Sequence, residues 1–486
     1  MGYSQFLNMV PEFYLVCILL VVFFMDFFFS RKSERDHEVF GGVTIGLMLV
    51  LPVRIAFLSE PTEAFGSMYV ASQAANVMKI ILSIGTVIVL IMAEPWLKNE
   101  AKQHRGEFYL LMLSTLLGMF IMVSSGSFLL FFLGLETASV PMACLVAFDK
   151  WKKKSAEAAA KYILVATFSS GVMLYGISFV YAATGTLYFD DVADAIYGTN
   201  PLYEGVTPLT IMGLVFFFSG LAFKLSLVPF HFWTADTYEG APTPITGYLS
   251  VCSKGAAAFA AMVILCKAFA PLVEYWEYML YVLIVLSITI ANLFAIRQSE
   301  LKRFMAFSSI SQAGYIMLAV IGASQAGMAS LMYYILVYVV ANMAVFTVIS
   351  AVEQNNNGTT KMSAYDGLYQ TNPKLAFLMT LALFSLAGIP PFAGMFSKFF
   401  VFMAAAEQGS FWAYFVVFIA LVNTVVSLYY YLLIVKAMYI KQTDSPLPTF
   451  KTDGSTRFAL ALCTLGIALF GICSCIYDWL FAASAM

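Results

Sequence analysis

The chain is apolar almost from end to end, in runs of about twenty residues or more parted by short polar stretches, and few folds can accommodate that pattern. Of 486 residues, 61% are hydrophobic and 11% charged, against roughly 25% charged in a soluble domain. Backbone groups in hydrocarbon must pair internally, so only helices and closed barrels cross a bilayer. Continuously apolar runs lack the alternation a barrel strand needs. The expected fold class is an all-α integral membrane protein of about fourteen transmembrane helices. They lie near 9–29, 39–58, 70–93, 108–124, 126–148, 155–184, 207–238, 243–269, 271–297, 301–321, 326–352, 374–407, 411–440 and 455–484. The first run is too long for a signal-peptide core and no small-residue cleavage site follows it, so it reads as a span.

Loop charge tests that count. Cytoplasmic loops are the ones that collect Lys and Arg. Loops after odd-numbered helices hold nineteen of the 26 basic residues, among them Arg31, Lys32, Arg35, Lys98, Lys102, Arg105, Lys150, Lys152, Arg297, Lys302, Arg303 and Lys361. Loops after even-numbered helices are acidic, with Glu60, Glu63, Asp190, Asp191, Asp194 and Glu204. A missed or invented helix would put the later basic loops on the wrong side. The alternation stays in phase, which places both termini outside.

Some residues do not suit hydrocarbon. Arg54 and Lys267 lie near helix ends, where a long side chain can reach the headgroups. Lys79, Lys161, Lys224, Lys254, Lys398 and Glu136 fall within spans, where an ionisable group costs about 2.5–3.5 kcal/mol on insertion scales and normally faces protein or a wet cavity. Lys79, with no broken helix beside it, reads as readily as a snorkelling residue or a partner for a lipid phosphate.

Two spans contain helix breakers. Pro229, beside His231, interrupts the seventh, and Pro390 with Pro391 interrupts the twelfth. An internal proline lacks the N–H that reaches four residues back, so the carbonyls of Leu225, Leu386 and Ala387 should lose their partners. Broken helices at corresponding positions in two halves point to a transport site. The breaks lie five helices apart, and five is odd, so helices 4–8 (residues 108–269) and 9–13 (270–440) read as inverted repeats. Helices 1–3 (1–107) precede them, and a loop with helix 14 (441–486) follows. On helix 10, Ser308, Gln312 and Tyr315 share a face. With Asn292, Asn342 and Asn423 they could line a hydrated file, or equally could bond helices together. Phosphate-loop and dinucleotide motifs and His/Cys clusters are absent from the sequence. No redox centre, nucleotide, metal or nucleic acid is therefore expected in this chain, and the seven cysteines read as small core residues.

The run from Phe223-Lys224-Leu225-Ser226-Leu227-Val228-Pro229-Phe230-His231 to Tyr238-Glu239-Gly240-Ala241-Pro242-Thr243-Pro244, with Ser253-Lys254, resembles the antiporter-like membrane subunits of bacterial respiratory complex I, NADH:quinone oxidoreductase. Leu133-Gly134-Leu135-Glu136, Leu301-Lys302-Arg303-Phe304 and Gly388-Ile389-Pro390-Pro391-Phe392 through Lys398 extend the likeness over nearly the whole chain. Within that family the Tyr238-Glu239-Gly240-Ala241-Pro242 wording, and Lys398 where the M type usually has glutamate, are similar to the N type. The resemblance implies a proton-translocating subunit in a bacterial inner membrane. It implies other membrane-arm subunits and lipid as neighbours, with FMN, iron–sulfur clusters and quinone held by partners. Residue by residue, it implies a Glu136–Lys224 ion pair, Lys161 as modulator of Lys224, Lys254 as central proton carrier and Lys398 as exit-side carrier. Gln312 departs from a common histidine; an amide can bond a water file but cannot titrate. A subunit of a multi-subunit cation/proton antiporter is the alternative, and a scaffold moving no ions a third.

Overall fold

The computed structural model describes residues 3–29, 34–101, 104–198, 205–356, 358–441, 443, 446–473 and 475–485. Arg31, Lys32, Lys102, Glu204 and the side chain of Arg35 lie outside what it describes. Thirteen helices are long and apolar enough to cross a membrane, from Val10–Phe28 to Gly454–Ile472. Two shorter apolar helices, Pro373–Ala387 and Ala393–Ala406, make up a fourteenth span, the twelfth in chain order.

The seventh span is likewise two pieces, Pro208–Leu225 and Phe232–Gly240. The eighth, Thr243–Cys266, contains a π-helical turn at Leu249–Ser253 immediately before Lys254. The fourteenth is broken as well, into Gly454–Ile472 and Cys475–Ala483, which the apolar run alone did not reveal. Also unforeseen are a hairpin pairing Thr62–Ala64 with Tyr69–Ala71 and a short helix Phe189–Tyr197. Span ends follow local chemistry: Ser72, Ser127, Ser324 and Ser410 cap N-termini with their hydroxyls, and Gly185 and Gly388 take the left-handed conformation that ends a helix.

The loops sort by face as the charge alternation requires. Val70, Phe189, Lys267, Met328 and Ala485 line one cleft, so the loops after even spans and the C-terminus share a face. On the opposite face Lys152 reaches Glu100 at 2.9 Å, Lys154 reaches Glu239 at 2.8 Å, and the backbone at Glu300 pairs antiparallel with that at Lys361. Several basic residues assigned to that face's loops belong instead to helix starts. Arg105 opens the fourth span, buried against Glu94 at 3.1 Å, and Lys302 and Arg303 lie in the first turn of the tenth.

Spans 10 and 11, Leu301–Ile321 and Gln325–Asn355, are enclosed on every side, whereas spans 1, 13 and 14 leave most of their surface uncovered. All seven cysteines are free thiols, and Cys144 and Cys475 are exposed on span surfaces instead of buried in the core. Apolar contact gives little net drive to helix association in lipid, so close packing through small residues matters more. A Cβ at Gly118 would stand 2.3 Å from the backbone nitrogen of Ala138, and one at Gly134 2.5 Å from that of Met122. Spans 4 and 5 therefore touch backbone to backbone. Gly118→Val should force them apart and reduce the chain recovered in its native assembly to about a tenth or less, read by blotting a native gel; normal recovery would contradict this packing.

Candidate functional site

Each helix break is satisfied by specific polar groups. At the seventh span Ser226 adopts φ 62°, the N–H of Val228 donates to Ser287 Oγ at 2.9 Å, and Trp233 Nε1 donates to the Phe223 carbonyl at 3.1 Å. The carbonyl taken up is thus that of Phe223, two residues before the Leu225 expected from proline spacing, because the helix has already ended at Leu225 before reaching Pro229. At the twelfth span the expectation holds: Lys398 Nζ donates to the Ala387 carbonyl at 3.0 Å and Gln312 Nε2 to the Leu386 carbonyl at 3.4 Å. Both Pro229 and Pro391 follow cis bonds.

The lysines sit on this framework. Lys224 is in the last turn before its break, where the carbonyl end of a helix favours a cation. It donates to Ser139 Oγ at 2.8 Å and Tyr162 Oη at 3.4 Å. The expected direct ion pair with Glu136 is not formed: Glu136 instead accepts from Ser170 of the sixth span. Ser139, which holds Lys224, is three residues from Glu136 on the fifth span, so the two charges are neighbours separated by a serine.

Lys254, 2% exposed, donates to Ser309 Oγ at 2.8 Å and lies 5.5 Å from the Tyr238 ring centre. Among the described residues no carboxylate comes within ion-pair distance of it. Ser309 also bonds Tyr238 Oη at 3.3 Å and the Ser250 carbonyl at 3.4 Å, and Ser250 accepts from Asn342 at 2.6 Å. Lys398 lies 5.1 Å from the Tyr315 ring centre. A small cavity between Tyr338 and Lys398, lined also by Gln312, Tyr334, Ser385 and Ser397, has room for about one water. It lies on the Lys398 side of the tenth span, with Gln312 on its wall.

Magnitudes explain why this arrangement is poised. Placing an ammonium at membrane depth costs about 2.5–3.5 kcal/mol, and one good hydrogen bond to a charged group returns about 1.5–3 kcal/mol. The two nearly cancel, so modest changes around Lys254 can decide whether it carries charge.

Other expected residues fall differently. Ser308 faces away from Lys254 and bonds Tyr431 Oη at 2.5 Å, while Gln312 is held by Tyr431 and Tyr334. His231 is buried in the first break with no hydrogen-bond partner at Nδ1 among the described residues. Lys161 is not interior. It is 44% exposed at the basic face, paired with Glu157 at 2.6 Å and Asp236 at 2.7 Å, in a cluster with Arg303, Glu239 and Lys154. Eight residues on from Lys153, where this long helix begins, is still the rim, and it is the next residue, Tyr162, that turns inward to Lys224. Ser139, Tyr162, Ser170 and Ser309 carry no signal in the sequence, whereas Tyr238 opens the Tyr238-Glu239-Gly240-Ala241-Pro242 run.

A family model described as NADH:quinone oxidoreductase/Mrp antiporter, TM, matches residues 125–426, which takes in every one of these lysines except Lys79. A curated relative from Phocaeicola vulgatus, named NADH-quinone oxidoreductase subunit N, is 56% identical over 481 residues, 99% of each chain. The chain belongs to the NADH-quinone oxidoreductase subunit N family. A second member of this family, from Azobacteroides pseudotrichonymphae, is 49% identical and covers 99% of this chain and 98% of its own. Among solved structures, a chain of respiratory complex I from Thermus thermophilus is 29% identical with TM-score 0.76, covering 95% of this chain and 96% of its own. A chain of the Mrp complex from Dietzia sp. shares the fold at TM-score 0.84 over 99% of this chain and 97% of its own, with 20% identity.

For this member of the family, Ser309→Ala removes the hydroxyl that accepts from Lys254. Loss of about 1.5 kcal/mol or more should slow NADH-driven acidification of inverted vesicles by on the order of tenfold at parental levels of assembled complex. Acidification at the parental rate would remove Ser309 from the site.

Proposed function

We propose that this chain is the proton-translocating, non-redox membrane subunit of an NADH:quinone oxidoreductase, driven by electron transfer in other subunits. Those partners hold FMN, iron–sulfur clusters and quinone, and the chain sits beside other membrane-arm subunits in a bacterial inner membrane with both termini on the outer side. The observation that carries the reading is the burial of Lys224, Lys254 and Lys398, each bonded to neutral groups and two of them beside helix breaks. A structural scaffold has no need of amines in that setting.

The sequence of events is electrostatic. Movement of Glu136 toward Lys224 favours the charged lysine, and movement away favours release of its proton. Charge arriving on Lys224 repels charge on Lys254, one span further on, through a medium of low dielectric. A proton leaving Lys254 passes by the Ser309 hydroxyl and a water in the small cavity toward Lys398, from which it departs on the outer side. Gln312 orders that water without titrating. Lys161, at the rim, acts on Lys224 only at longer range, through the field of its charged cluster. The two five-helix units, 108–269 and 270–440, supply the two broken spans in inverted copies.

The antiporter alternative shares every one of these groups and differs in its assembly. With the chain tagged and its native membrane solubilised in mild detergent, a native gel should show the tag and NADH dehydrogenase activity migrating together as one large complex. A tag migrating without that activity, together with sodium-dependent proton flux in vesicles, would overturn the proposal in favour of an antiporter.

A further inference from the structure

Lys79 is a buried lysine that lies outside the route described above. Lys79, on the third span (Gln73–Asn99), is fully enclosed, and its ammonium meets Glu12 Oε1 at 2.7 Å and Tyr69 Oη at 3.0 Å. Tyr69 in turn donates to Glu12 Oε2 at 2.8 Å. The three side chains close a ring, with Glu12 3% and Tyr69 0% exposed. The snorkelling and lipid-phosphate readings of Lys79 are therefore both incorrect: the amine points to protein, and a carboxylate from the first turn of the first span meets it. Glu12 escaped notice because it stands near the end of an apolar run, where an acid ordinarily faces the headgroups.

The ring joins three separate pieces of chain. Glu12 belongs to the first span, Tyr69 to the hairpin, and Lys79 to a span that is itself mostly enclosed. Apart from this ring, from Arg54 of the second span stacked 4.4 Å over the Tyr14 ring, and from bonds linking Gln5 and Asn8 to the hairpin, the first span is held by apolar contact. Phe13, Leu20, Phe23, Phe24 and Phe27 are all about half exposed or more, and only Leu15, Ile18 and Val22 on its inner face are well covered. In lipid those apolar contacts do not favour docking over exposure to acyl chains. A carboxylate and an ammonium at membrane depth, by contrast, each strongly prefer the other to hydrocarbon. Burial and the Glu12 charge hold the Tyr69 phenol far above its ordinary range, so it stays a hydrogen-bond donor. At the other end of the span a Cβ on Gly106 would lie 2.0 Å from the Asp26 carboxyl carbon, so the helix also approaches the fourth span closely there.

We infer that Glu12, Lys79 and Tyr69 form a polar clasp that docks the N-terminal span and the hairpin onto the third span, and that Lys79 carries no translocated proton. A closed ring with every charge matched suits fastening, since nothing in it is left free to accept an incoming proton. Removing one partner strands a buried charge and is strongly destabilising, whereas replacing both by neutral groups of similar shape is close to neutral. That asymmetry is the signature of a clasp and is independent of the proton-translocation reading.

The test places a cysteine at Leu15, which is fully covered, in the full complex in its own membrane, and follows maleimide labelling of that peptide by mass. With Glu12→Gln or Lys79→Met alone, labelling should accelerate by on the order of tenfold or more as the span undocks. With Glu12→Gln/Lys79→Met together it should return toward the parental rate, and NADH-driven proton pumping should be normal. Single variants as protected as the parent, or a double variant as open as the singles, would overturn the clasp. A double variant that docks correctly yet loses pumping would overturn it too, by placing Lys79 in the route. Should the single variants fail to assemble, parental assembly of the double variant is still required, and its failure overturns the inference.

Discussion

An amine inside a membrane protein has to be held by something that is neither water nor lipid, and much of this structure follows from how that is done. Lys224, Lys254 and Lys398 are held by hydroxyls, a carbonyl and aromatic faces, and Lys79 by a carboxylate. The difference is physical. A carboxylate at 2.7 Å favours the charged form of a lysine. A serine at 2.8 Å compensates the amine without committing it. Residue type and burial are alike in the two cases; the neighbour is what differs.

Broken spans are what make the weak kind of compensation possible. Ending the twelfth span's first half at Ala387 frees a carbonyl that Lys398, eleven residues on, folds back to meet. An unbroken helix would have spent that carbonyl on its own ladder. The π-turn before Lys254 serves the eighth span similarly, inserting an irregular turn where the side chain must face Ser309 and Tyr238 instead of the next helix ridge. The enclosed tenth span then serves both neighbourhoods: Ser309 faces Lys254, while Ser308 and Gln312 face Tyr431 and the Lys398 cavity.

Span number, phase and breaks were legible because they depend on composition and on local chemistry. Apolar length gives spans, loop charge gives their alternation, and proline gives the interruptions, so the partners of Leu386 and Ala387 could be anticipated as a need. Which groups meet that need was not legible. Helical spacing places Ser308, Gln312 and Tyr315 on one face, but a helix buried all round has no apolar stripe to say which face meets which neighbour, and so Ser309 was passed over for Ser308. The Glu136–Lys224 contact failed for a related reason: a one-turn difference in depth leaves Ser139 between them, and no spacing rule reports depth across helices. Distance from a helix end is a poor measure of burial: Lys161, well inside its helix, is exposed at the rim, whereas Glu12, in the first turn of its own, is enclosed beneath a hairpin.

The central claim is that the amine at position 254, held by a serine and no carboxylate, carries the proton. The measurement that bears on it most directly is the number of protons moved per NADH oxidised in inverted vesicles containing Lys254→Ala, with Lys254→Arg as a charge-retaining control and assembly checked on the same preparation. A lysine that must release its proton cannot be replaced by a guanidinium that stays charged. The account requires both variants to assemble and to lose this subunit's share of pumping. A parental proton-to-NADH ratio in either variant would contradict it.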